Sequence, residues 1–160
     1  NTSVKHTLTA LVLGISLLFA SGGLLSAQDI SEGLKSYDKG DFLTARIKWK
    51  LLAENGNAKA QFNLALLYDN GLGGIEDNKE AAKWYRKSAT QGLAEAQFSL
   101  GVMYETGEGV IKSTKEAVAW YRKAAEQGHA KALFNLRLII DDINNFDENF
   151  IDASIKNLPI

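Results

Sequence analysis

Apolar residues fall at helical spacing along most of the chain. Ala60, Leu64 and Tyr68 lie four apart and share one face of a predicted first helix. Ala81, Trp84, Tyr85 and Ala89 line one face of a second. Between them Gly71-Leu72-Gly73-Gly74 interrupts the pattern, where glycine supplies the left-handed backbone that closes a helix. The pattern then recurs. Ala60-Gln61-Phe62-Asn63-Leu64-Ala65-Leu66-Leu67-Tyr68 returns as Ala96-Gln97-Phe98-Ser99-Leu100-Gly101-Val102-Met103-Tyr104, a step of 36 residues. The same step carries Trp84-Tyr85-Arg86-Lys87 onto Trp120-Tyr121-Arg122-Lys123, and Gly56 onto Gly92 and then Gly128. A third start, Ala132-Leu133-Phe134-Asn135-Leu136, keeps the register. One hairpin of this size cannot bury its apolar face alone, so such units stack on their neighbours. The expected fold is all-α, an α/α solenoid of antiparallel helical hairpins.

Local signals mark the ends of the second helices. Asp41, Asp77 and Ser113 are the expected N-caps, again 36 apart, and Ser113 with Glu116 has the form of a capping box. Gly92 and Gly128 end these helices, after Gly107-Glu108-Gly109 has ended the repeated first helix. Ala65 and Gly101 are small where the two helices of one hairpin need close approach. The full units run 58–93 and 94–129. Before them, 28–57 reads as a shortened unit in which Tyr37-Asp38-Lys39-Gly40 runs straight into Asp41. After them, 130–160 decays: Arg137 replaces the small residue, Ile140 the tyrosine and Lys156 the tryptophan. That end is expected to cap the stack, since a solenoid needs atypical terminal units.

The first residues follow a different logic. Lys5 and His6 precede an apolar run from Leu8 to Ala20, then small residues through Ala27. That order is expected of a secretory signal peptide over 1–27, removed after Ala27. Leu25 stands where a small residue is preferred, so retention as a membrane anchor is the alternative. The expected location is periplasmic or secreted.

Composition removes several function classes. The 160 residues hold 18 basic and 19 acidic side chains, so no excess positive charge draws nucleic acid. The absence of cysteine excludes thiolate metal sites and cysteine nucleophiles. Of two histidines, His6 lies in the leader and His129 in a turn, where a lone imidazole is expected to be solvated rather than catalytic. Neither glycine loop continues into Gly-Lys-Ser/Thr, so both read as turns rather than phosphate cradles. The acidic run Asp141, Asp142, Asp147, Glu148 and Asp152 lacks the alternating ligands and central glycine of an EF-hand. Lys79, Lys83, Arg86, Lys87, Arg122 and Lys123 fall opposite the apolar stripe and read as a solvated face. No cofactor or metal is expected, and no enzyme.

Taken together, Leu64-Ala65 and Leu100-Gly101, the following tyrosines, the Gly-x-Gly loops, Trp84-Tyr85 and Trp120-Tyr121, and the closing glycines resemble the Sel1-like repeat family of the tetratricopeptide superfamily. The resemblance implies a right-handed superhelix and a non-catalytic protein-protein interaction adaptor. By similarity to tetratricopeptide units, the inner, concave wall would be formed by Lys59, Phe62, Leu66, Asp69 and Asn70, then Glu95, Phe98, Val102, Glu105 and Thr106, then Lys131, Phe134, Leu138 and Asp141. The three phenylalanines form a ladder one repeat apart. They are either exposed anchors for a protein or peptide partner or part of the packed core. The alternative activity, a cell-wall or β-lactam-directed hydrolase, belongs to cysteine-rich members whose paired cysteines this chain lacks. A monomer is expected.

Overall fold

The computed structural model describes residues 29–146; the expected leader, Lys156 and Asp152 lie outside them. Among the described residues seven helices follow one another: α1 (29–38), α2 (Phe42–Glu54), α3 (Ala58–Asp69), α4 (Asn78–Thr90), α5 (Ala94–Thr106), α6 (Thr114–Glu126) and α7 (Ala130–Phe146). No strand occurs among the described residues. From α2 to α7 each helix packs against the next in the chain, the nearest-neighbour order of an α/α solenoid.

The caps are where the spacing places them. Asp41 accepts the Thr44 amide at 3.1 Å, Asp77 those of Lys79 and Glu80 at 3.1 and 3.0 Å, and Ser113 that of Glu116 at 3.3 Å. The cap backbones also return to the preceding helix: the Asp77 amide donates to the Tyr68 carbonyl at 2.9 Å, and the Ser113 amide to that of Tyr104 at 2.8 Å. Each glycine loop is thereby closed into the same turn.

Small residues set the distance between helices. Ala45, Ala60, Ala65, Ala81, Ala96, Ala117 and Ala132 are all fully buried. A β-carbon on Gly101 would stand 2.6 Å from the Tyr121 ring, so the α5–α6 hairpin closes more tightly than Ala65 would permit there. The second glycine of each Gly-x-Gly does more than close a helix. A β-carbon on Gly73 would lie 2.6 Å from the Phe42 carbonyl oxygen, and one on Gly109 2.0 Å from that of Asn78. Each loop therefore rests on the start of the second helix in the preceding unit.

Buried glutamines wire consecutive hairpins together. Gln61 donates to the Ala53 carbonyl at 3.1 Å and accepts from Gln91 at 2.7 Å. One repeat on, Gln97 donates to the Ala89 carbonyl at 3.1 Å and accepts from Gln127 at 2.8 Å. The next position in register is Leu133, and the ladder stops. The last helix departs in length too. α7 has 17 residues against 12 in α3 and 13 in α5. Ile143 stands in register with Gly71 and Gly107, so nothing closes α7 where they close its counterparts.

Candidate functional site

The residues expected on the inner wall lie on α3, α5 and α7, the first helices of successive hairpins. Lys59, Glu95 and Lys131 are exposed at equivalent positions near their starts. Phe62 and Phe98 are half-buried, each with its ring centre 5.8 Å from a tyrosine of the same hairpin, Tyr85 and Tyr121 respectively. Phe98 also stacks on His129 at 4.7 Å. Phe134 is 62% exposed, and its neighbour Leu138 is 49% exposed. The phenylalanine ladder thus has two rungs braced from below and a third that is open. Leu66 and Val102, one turn further along α3 and α5, are half-buried against the core.

Two of the four acids of this face, Asp69 and Glu105, are anchored. Tyr85 donates its hydroxyl proton to Asp69 at 3.1 Å, and Tyr121 donates to Glu105 at 2.5 Å while accepting from Asn135 at 3.1 Å. Partial burial raises the Asp69 carboxyl above its ordinary value, against the opposing bond from Tyr85. Burial, and then the neighbouring carboxylate, push both tyrosine hydroxyls well above the usual phenol range. Asn70 and Thr106 turn back onto their own helices, donating to the carbonyls of Leu66 and Met103. The side chains of this face left free for a partner are therefore Lys59, Glu95, Lys131, Asp141, Leu138 and the edges of the phenylalanines.

Asn63 marks where this network begins. It is buried, yet its amide nitrogen has no partner. Ser99 and Asn135 are its counterparts, and Asn135 meets a tyrosine hydroxyl. The tyrosine that would serve Asn63 is replaced by Trp49, whose indole donates to the Ile30 carbonyl at 3.4 Å.

On the opposite face three of the six expected cations lie against rings, while Lys79 and Lys83 are exposed as expected and Lys83 pairs with Glu80. Lys87 sits 4.2 Å above Trp84 and Lys123 4.4 Å above Trp120. Arg46 lies 4.1 Å over Tyr68, and Arg86 both faces and hydrogen-bonds Tyr104 in the next unit. Arg122, where Ile140 has replaced the tyrosine, is left with its Nε unpartnered. His129 also differs from expectation. It is half-buried and caps α7, its Nδ1 accepting the Ala132 amide at 3.2 Å, as Asn57 caps α3 through the Ala60 amide. Sequence reasoning had no signal for the stacking, but the shared position of Asn57 and His129 one residue before each helix could have revealed the cap. An open cleft of about 350 Å³ lies between the α5 end, Lys112 and Thr114, and the Ile139 to Ile143 turn of α7. Among the described residues no group of acids and histidines is placed to hold a metal.

The family model for the Sel1 repeat matches residues 58–93 and 94–129. A Sel1 repeat protein from Oxalobacter formigenes is 42% identical with a TM-score of 0.64, over 67% of this chain and 44% of its own. A protective antigen of uropathogenic Escherichia coli strains, described as displaying an SLR fold, is 38% identical with a TM-score of 0.63, over 67% of this chain and 24% of its own. Cysteine rich protein B of Helicobacter pylori shares the fold, with 21% identity and a TM-score of 0.57, over 69% of this chain and 94% of its own. The chain thus spans less than half the length of the first two. No curated protein matches it.

Proposed function

This is a Sel1-repeat protein, with one such repeat at 58–93 and another at 94–129, and from that premise we propose that it is an exported, non-catalytic adaptor that binds a protein or peptide on the first-helix face. The observation that carries the reading is the phenylalanine ladder. Phe62 and Phe98 are held half-buried on tyrosines, so each offers a ring edge already ordered before binding, while Phe134 offers most of its surface. Pre-ordered aromatic anchors lose little rotamer entropy on contact. Lys59, Glu95 and Lys131 alternate in sign beside them and would set the register of a bound segment. The hydrolase alternative rests on paired cysteines that the chain lacks, and no feature of this face favours it.

Export follows from the apolar segment before residue 28 and is part of the same proposal. The test is affinity capture from a native envelope fraction. Phe134→Ala and Lys59→Glu should each release the captured protein, because neither residue is needed for packing. Lys83→Glu, on the opposite face, should retain it. Equal capture by all variants, or nitrocefin turnover by the wild type, would sink the adaptor reading.

A further inference from the structure

The first-helix face continues onto α1, by a step that the 36-residue period hides. The Asp41 amide donates to the Ser36 carbonyl at 2.9 Å, as those of Asp77 and Ser113 donate to Tyr68 and Tyr104. Ser36 is thus the counterpart of Tyr68, a step of 32 residues, because the loop after α1 is shorter. Gly33 gives the same alignment: a β-carbon there would stand 2.1 Å from the Trp49 ring, as one on Gly101 would press on Tyr121. In this register two apolar rows cross all four first helices. One is Ile30, Phe62, Phe98 and Phe134; the other, one turn along, is Leu34, Leu66, Val102 and Leu138. Both are half-buried through the middle units, while Leu34 at one end is 39% exposed and Phe134 and Leu138 at the other are more open still.

The two borders of these rows differ in charge. Beside the helix starts Lys59, Glu95 and Lys131 alternate in sign. At the opposite border, residues 69–77, 105–113 and 141–143 hold seven acids and one lysine, Lys112. Burial raises the Asp69 carboxyl, Tyr85 opposes it, and the charges of Glu108 and Glu76 raise it further, which sets acids from two different loops beside it. Glu105 and Asp142 share the open cleft with Lys112. Asp38 and Lys39 cancel at the end of α1. Arg46 and Arg86 approach from the second helices, turned onto Tyr68 and Tyr104, and even counting them the acids of this border exceed the bases by four. Among the described residues no ion pair neutralises these acids, and they do not converge as metal ligands.

We propose that the partner on this face is a basic, apolar segment of protein, laid across the four first helices with its apolar side chains in the two rows and lysine or arginine over the acidic border. The inference rests on the first-helix face being the binding surface and adds the chemistry of what binds. Residues 147–160 of the chain itself fit that role poorly, since their three acids outnumber one lysine. Border charges steer encounter and fix register more than they add affinity, so the preference is moderate and salt-dependent.

The test uses the full chain and three fluorescent peptides of equal length, in which leucine alternates with lysine, with serine or with glutamate. The lysine peptide should bind about tenfold more tightly than the serine peptide, the gap closing as salt is raised, and the glutamate peptide more weakly than either. Phe134→Ala and, at the far end, Leu34→Ser should each weaken the lysine and serine peptides severalfold. The double variant Glu76→Lys/Glu108→Lys, at two exposed positions, should remove the advantage of the lysine peptide, whereas Lys83→Glu should keep it. Equal affinity for the lysine and glutamate peptides, or an advantage that survives the double variant, would overturn the proposal. If Phe134→Ala still weakens those peptides, the face binds and only the chemistry assigned to its partner is wrong. Binding of no peptide, or binding indifferent to Phe134→Ala, would overturn the face itself and the proposal with it.

Discussion

The hydroxyl of Tyr85 donates to Asp69, and the partial burial of that carboxyl, which outweighs the bond, carries a consequence for acid stability. Burial raises the Asp69 carboxyl above its ordinary 3.8, so the folded chain holds that proton more tightly than the unfolded chain does. The ionised carboxylate therefore costs stability at neutral pH, and this cost fades as the pH falls from the raised midpoint towards 3.8, below which it is gone. Asparagine keeps an acceptor for Tyr85 without the charge. Asp69→Asn should leave stability at pH 7 unchanged or slightly higher and flatten this part of the pH dependence in urea melts. Asp69→Ala should instead lose about 1–3 kcal/mol by stranding a buried hydroxyl. A carboxyl midpoint below 3.8 by carbon-detected NMR would reverse the argument.

Between elements, the glutamine ladder does what apolar packing cannot, since it fixes the axial register of one hairpin on the next. Gln97 satisfies the last-turn carbonyl of Ala89 in α4 and is itself held by Gln127 after α6. Three helices meet through one side chain. Gln97→Leu, the residue type the last unit already carries at Leu133, should cost about 1–3 kcal/mol in chemical denaturation. A Gln97/Gln127 double-mutant cycle should return a coupling of about 0.5–1.5 kcal/mol. No coupling would mean that water replaces the bond.

For the whole molecule, contacts between successive helices make stability close to a sum over neighbours. Helices flanked on both sides should open last. Amide exchange is therefore expected to be slowest in α4 and α5 and fastest in α1 and α7, with α7 further weakened where Leu133 interrupts the ladder and Arg122 lacks its tyrosine. Uniform protection across all seven helices would show a cooperative block instead of a nearest-neighbour stack.

The repeat itself was legible because each device is local in the chain. The caps at Asp41, Asp77 and Ser113, the closing glycines and the 3.6-residue periodicity act within one hairpin, so spacing alone determined the all-α solenoid and the order of its helices. Spacing also named the small residues at helix contacts, and Gly101 lies against Tyr121 as that argument requires. What only the tertiary structure decided lies between units. Whether Phe98 is an anchor or core depends on Tyr121, 23 positions later, and on His129. The binding of Asp69 to Tyr85, of Gln61 to Gln91 and of Gly109 to Asn78 depends on how hairpins are set against one another in space. A one-dimensional pattern fixes which face of a helix is apolar; it does not fix which side chain of the neighbouring helix that face will meet.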